Sequence, residues 1–386
     1  MRDAGLRGPD HGAKHARPNR DRALTEKRQR RLMTRPGRLV IVLGMRKISL
    51  LSFASALLLS ASLGSPQAVA DPPKAASPVT PSGGAIPKHI HRVPGDAVLN
   101  LHHEDEIFGD HRVGTYTSST RGFSTASYWI DAPGGLILID TQFLPSAAEE
   151  FITWAELVTG KRAKAAFVLH PNPDKFNGTA VFKRRGIKVM TSDQVIAQIP
   201  AVDADRRRHF YERFQPDYPP DLTLPESFGS ESVSMDLAGA TVKAYVLGAG
   251  CSDAHVVVQY DGHLFVGDLV ASGSHSWLEL ARTEEWLKRI EELRGMGAKT
   301  IHPGRGPSGD ERLLDQQAAY LRFVRDSVAA EKPRLNAAGE LDDAGRDAIE
   351  RIRTKIEERF LGYRFGIFLS LGRPAEWTRQ AKLAKR

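Results

Sequence analysis

Nine side chains that could bind a metal or bring charge into a site fall in four short stretches. They are His170, Asn172, Asp174 and Lys175 in HPNPDKFNG, Cys251 and His255 in LGAGCSDAHVVVQY, Asp268 in HLFVGDLV, and His302 and Arg305 in IHPGRGP. The first stretch has the form of a metal-binding loop in which some ligands have been exchanged. Imidazole and thiolate are good zinc ligands, whereas a neutral amide oxygen is a poor one. Arginine stays protonated in proteins and cannot be a ligand at all. The four stretches therefore mix groups that attract a cation with groups that repel one.

The elements that must position them are legible as hydrophobic runs and turns. HRVGTYT, ASYWI and GLILID are β-rich, with Pro133-Gly134-Gly135 turning between the last two. PSAAEEFITWAELVTG is predicted helical, with Phe151, Trp154, Ala155 and Val158 on one face and Gly160 as its stop. The strand AKAAFVL runs directly into HPNPDKFNG. A short helix around residues 180–184, a strand IKVMT and a helix capped by Ser192, burying Val195, Ile196 and Ile199, follow. QPDYPPDLTLP is a Pro-rich loop. SVSMDL, TVKAYVL, HVVVQY and HLFVGDLV read as strands, the last two joined by Asp261-Gly262, a two-residue hairpin signal. A helix over 283–296 leads to the strand AKTIHPG, and the chain from about 310 to 360 is mostly helical. This order predicts an α/β (α+β) fold of two sheets packed face to face with helices outside.

The ends of the chain carry a different signal. MRKISLLSFASALLLSASLGSPQAVADPP has a basic start, an apolar stretch too short for a membrane span, and Ala68-Val69-Ala70 before Asp71, the pattern of a secretory signal peptide. We expect residues 1–44 to be an untranslated or disordered extension, with translation starting at Met45, and residues 45–70 to be the signal peptide. Residues 71–96 read as a flexible leader, 97–308 as the main domain and 309–386 as a helical C-terminal extension packed on it. The mature protein is then expected in the periplasm or secreted, with no stable membrane anchor after cleavage. Residues 1–44 hold 12 Lys or Arg against 4 Asp or Glu, so the overall charge of +8 lies there and in the signal peptide. What remains carries 40 basic and 42 acidic side chains, so no nucleic-acid partner is implied. One cysteine allows no internal disulfide.

With the motifs in order, the region from about Val113 to Pro307 resembles the metallo-β-lactamase superfamily. GLILIDTQF is similar to its strand ending in Asp and a small residue, and HPNPDKFNG stands at its metal loop. LGAGCSDAHVVVQY resembles its Gly-rich loop, HLFVGDLV its strand ending in a bridging Asp, and IHPGRGP its PGHG turn. The resemblance implies a four-layer αβ/βα sandwich and a zinc site built on His-x-His-x-Asp-His. Carried across, His170 is the first ligand, Asn172 stands at the second His and Cys251 at the third. Asp174 and Asp268 remain on the second-metal side, while Lys175 and Arg305 replace two histidines there. Two unit charges about 4 Å apart interact by about 4 kcal/mol at an effective dielectric near 20, and a divalent ion beside Arg305 would feel roughly twice that as repulsion. The expectation is at most one zinc, held by His170, Cys251 and Asn172 together with His255 or a water. The second metal position should be filled by Arg305 bridging Asp174 and Asp268.

Two function classes follow. One is a metal-dependent hydrolase with a reduced centre, cleaving an ester, amide or thioester with Asp174 as base. The alternative is a non-catalytic member of the fold that binds a small anionic molecule, or a partner, near Lys175 and Arg305. A third reading gives Cys251 a redox role, its thiolate favoured by nearby positive charge. His302 could swing in as a substitute ligand, and His263 should be exposed after its hairpin turn. Trp277, Trp286 and Tyr218 are candidates for a pocket mouth. His102 and His103, with Glu104, Asp105, Glu106 and His111, read as a solvated edge or an auxiliary metal cluster. The substrate stays undetermined.

Overall fold

A computed structural model describes residues 98–100 and 112–384. The expectations for residues 1–96, and for the histidines between 102 and 111, lie outside the described residues.

The first sheet has seven strands in sequence order. They are β1 (Val98–Asn100), β2 (Val113–Thr117), β3 (Ala126–Ala132), β4 (Gly135–Ile139), β5 (Ala163–Phe167), β6 (Lys188–Thr191) and β7 (Glu226–Ser227). Pairing is antiparallel from β1 to β4 and parallel from β4 to β7, because α1 (Pro145–Thr159), then α2 (Pro173–Phe176) with α3 (Thr179–Arg184), and then α4 (Asp193–Phe214) return the chain between the later strands. The second sheet runs β12 (Thr300–Arg305), β11 (His263–Ala271), β10 (His255–Tyr260), β9 (Ala240–Leu247), β8 (Val233–Leu237), with β12 reached through α5 (Thr283–Gly295) and parallel to β11. Asp261 (φ 41°) and Gly262 (φ 87°) are both left-handed, as a tight primed hairpin between β10 and β11 requires.

Strand alternation divides the core into layers. Val256, Val258 and Phe265 join the residues of the first sheet in one cluster, and Tyr128 of β3 meets Phe265 at 5.5 Å. Val257, Leu264 and Val266 point the other way, into a cluster with α5, α6 (Arg312–Ala330), α7 (Asp343–Arg359) and α8 (Ile367–Leu383). Across the molecule, Trp129 turns from the interface toward Phe151 of α1. The result is a four-layer αβ/βα sandwich.

Two local readings are corrected. The buried face of α1 is Ala148, Phe151, Ile152 and Ala155, while Val158 is exposed and Trp154 half-buried, because the stripe follows i, i+3, i+4, i+7 from Ala148 and the last turn faces away from the core. His263 is buried rather than exposed: it opens β11 beside β12, where its Nδ1 lies 2.9 Å from His302 Nε2.

Candidate functional site

The site gathers where strands of both sheets end. Asp140 follows β4 in a left-handed conformation (φ 63°), and its Oδ1 accepts the Leu169 N–H at 2.9 Å. Next to it, the backbone N–H and hydroxyl of Thr141 both donate to the Lys175 carbonyl at 2.8 Å, stapling the HPNPDKFNG loop to the end of β4. The loop can approach this closely only because residue 178 is glycine: a Cβ there would sit 1.9 Å from the Thr141 carbonyl oxygen.

Two cations and three carboxylates form the centre. Lys175 Nζ, fully buried, lies 3.0 Å from Asp268 Oδ1, 3.2 Å from Asp174 Oδ2 and 3.6 Å from Asp140 Oδ2, close enough for ion pairing though not aligned as hydrogen bonds. Arg305, at the end of β12, forks across the same pair: Nη1 donates to Asp268 Oδ2 and Nη2 to Asp174 Oδ2 at 2.8 Å, while Nε donates to the Phe123 carbonyl at 3.1 Å. Thr125 adds a hydroxyl to Asp174 at 3.1 Å. Burial alone would raise Asp174 and Asp268, but Lys175 and Arg305 outweigh it and hold both below the usual carboxylate range. Burial likewise works against the charged forms of Lys175 and Arg305, and the carboxylates reverse it and raise both. Asp140 is the exception: burial pushes it up to about 7, with Lys175 only partly opposing.

A second group lies beneath Asp268. A ring nitrogen of His170, Cys251 Sγ and a ring nitrogen of His255 come within 4.8 Å of one another, all buried. His255 Nδ1 lies 3.0 Å from the Gly248 carbonyl, which can only accept, so Nδ1 carries the proton and Nε2 turns its lone pair toward Cys251 Sγ at 3.1 Å and the Ser252 N–H at 3.3 Å. His170 Nδ1 pairs with Ser252 Oγ at 3.0 Å, which leaves its Nε2 buried and without a hydrogen-bond partner, 3.7 Å from Asp268 Oδ2. Burial lowers His170 to about 4 and His255 to about 3, so both rings are neutral at physiological pH.

This donor set fits one borderline cation such as zinc: two neutral imidazoles, one held by a backbone carbonyl in the metal-ready tautomer, and a thiol that would lose its proton on binding. The second position does not fit, because Lys175 and Arg305 already neutralise Asp174 and Asp268 there.

The pocket beside this centre encloses about 30 Å³ and opens to solvent, with Asp174, Asp268, Arg305 and Asn172 on its polar side. Its other walls are Phe123, Phe143, Phe210, Trp277 and Phe368.

The structure thus brings together His170, Cys251, His255, Asp174, Asp268, Lys175 and Arg305, and puts Asn172 on the pocket wall. It does not bring in His302, which is stacked on Phe265 at 4.5 Å and bound through Nδ1 to Ser308 Oγ at 2.8 Å, so it is a core residue of β12 and not a substitute ligand. Asp174 is a poor general base, since Arg305, Lys175 and Thr125 all meet its Oδ2 and the two cations hold its proton affinity below the usual carboxylate range. Burial, followed by the Asp268 charge, raises the Cys251 thiol, which works against the thiolate reading. Of the three aromatics, Trp277 lines the pocket. Trp286 is buried and donates to the Leu269 carbonyl at 2.9 Å, and Tyr218 packs on Phe143. Asp140 had no role assigned from sequence, although it ends the GLILID run; Ser252, Thr125, Phe123 and Phe368 left no chemical signal.

A model of the metallo-beta-lactamase superfamily matches residues 120–305. A search of curated proteins finds no match. Similar solved structures include a metallo-beta-lactamase from Pontibacter korlensis (21% identity, 59% of this chain and 99% of that one, TM-score 0.48). The metallo-beta-lactamase FIM-1 from Pseudomonas aeruginosa in its mono-zinc form is another (20% identity, 58% and 95%, TM-score 0.46). A third is a metallo-beta-lactamase from Erythrobacter litoralis (16% identity, 55% and 93%, TM-score 0.43).

Proposed function

We propose that this chain is an exported, hydrolase-like protein with a single metal position, in which Lys175 and Arg305 stand where a second ion would otherwise act. The observation that carries the reading is the buried cluster of His170, Cys251 and His255, with His170 Nε2 left without a hydrogen-bond partner. An unpaired buried nitrogen costs about 1–3 kcal/mol, a penalty that a bound cation removes. His170, Cys251 and His255 would hold zinc, which supplies Lewis-acid polarisation of an ester, amide or thioester carbonyl. Ser252 and the Gly248 carbonyl fix the two rings. Arg305 holds Asp268 and Asp174 in place at the floor of the pocket.

A second reading, binding without turnover, is favoured by the burial of all three donors behind Asp268 and by the commitment of Asp174 to cations. The anionic ligand expected from the sequence loses support, because Lys175 and Arg305 are matched by three carboxylates.

The test is a panel of uncharged esters, amides and thioesters, assayed on protein produced from Met45 and exported, with and without chelator and with Cys251→Ala. Hydrolysis abolished by both supports the hydrolase. Hydrolysis that survives Cys251→Ala contradicts the metal position, and no hydrolysis with intact metal selects the binding reading.

A further inference from the structure

The walls of the pocket form a continuous chain of rings. Trp277 meets Phe368 edge-on at 4.9 Å, Phe368 lies 6.4 Å from Phe123, and Phe123 and Phe210 meet Phe143 at 4.9 and 5.5 Å with interplanar angles of 67° and 88°. Edge-to-face packing of this kind is worth about 0.5–1.5 kcal/mol per pair beyond buried area, and a ring added to such a wall continues it.

The charges point the same way. Arg206 is paired with Glu279 and lies 5.3 Å over Trp277, and Arg305 is paired with Asp174 and Asp268 and lies 5.4 Å over Phe368. Each cation on the wall therefore has its carboxylate, and each carboxylate its cation, so a charged ligand would have to break a buried pair. The enclosed space is small, about 30 Å³, so a ligand here has to be flat and lie along the ring wall.

We propose that the pocket selects an uncharged molecule presenting one or two fused aromatic rings, and that Phe368, contributed by α8, is a specificity-determining residue. The inference rests on the proposed function only in treating this pocket as the entrance to the metal position.

The test compares 2-naphthamide, 2-naphthoate and decahydro-2-naphthamide by calorimetry on the full exported chain and on Phe368→Leu, which keeps an apolar group of similar size but removes the ring. Plasma mass spectrometry counts metal on the same samples. The expected result is 2-naphthamide bound at least tenfold more tightly than 2-naphthoate and several-fold more tightly than the saturated amide. The second preference should shrink in Phe368→Leu, with the thermal midpoint within a few degrees of the parent. Equal or tighter binding of the carboxylate, no preference for the aromatic ring, or no binding at all would overturn the proposal. Lost selectivity with metal retained defeats the pocket alone, and retained selectivity without metal defeats the metal position alone.

Discussion

At Lys175 a primary amine is completely buried, a placement that costs several kcal/mol unless carboxylates compensate it. Three do, and Lys175 and Arg305 together place two positive charges among them. Lys175→Met should therefore destabilise the fold by about 3–5 kcal/mol, because it strands buried carboxylates; a loss below about 1 kcal/mol in urea denaturation would show that the network is not held by this amine. Asp140 gives a pH signature. Its folded pKa of about 7 lies above the ordinary 3.8, so the folded state binds the extra proton between these values. The sign follows: this group favours folding at the acid end of the window, and its contribution is lost as pH rises through 7. The stability of the parent relative to Asp140→Asn should fall between pH 5 and pH 8, and a flat or rising difference would contradict the burial argument. The Lys175 and Arg305 exchanges were legible in the sequence as charges where a second ion would need ligands. That Lys175 lies among three carboxylates was not, because Asp140 is 35 residues away and meets it only when β4 and the loop close together.

At the level of elements, the site depends on close approaches that only small residues permit. Gly178→Ala would force its Cβ into the Thr141 carbonyl and push the HPNPDKFNG loop from the end of β4. Its expected cost is about 1–3 kcal/mol, typical of overpacking, with a drop in metal affinity since His170 sits on that loop; unchanged thermal stability and metal affinity would show that the staple does not position the ligand. Strands and hairpins were legible because period-two hydrophobicity and the Asp261-Gly262 turn are local. The buried face of α1 and the burial of His263 were not, since both depend on which neighbouring element covers them. Val158 satisfies helical periodicity but meets no partner, whereas His263 follows an exposed turn and is then covered by β12.

For the whole molecule, the helices after β12 are part of the site's enclosure. Phe368, Leu369 and Trp377 of α8 are buried, and the first of them walls the pocket. Ending the chain before residue 366 should expose this surface, lower the thermal midpoint by more than 10 °C or leave the protein insoluble, and abolish pocket binding; a soluble truncated chain with the parent's midpoint would refute the dependence. Nothing in the sequence linked these helices to the cleft, since ring contacts such as Phe123 with Phe368 span most of the domain. Among the described residues no helix is long and apolar enough to cross a membrane. The central claim is that one metal position survives at His170, Cys251 and His255 while Lys175 and Arg305 fill the other. The most direct measurement is the metal-to-protein ratio, by plasma mass spectrometry, of the full chain and of Cys251→Ala. The account predicts about one zinc per chain in the parent and almost none in the variant; two per chain, or none in either, would contradict it.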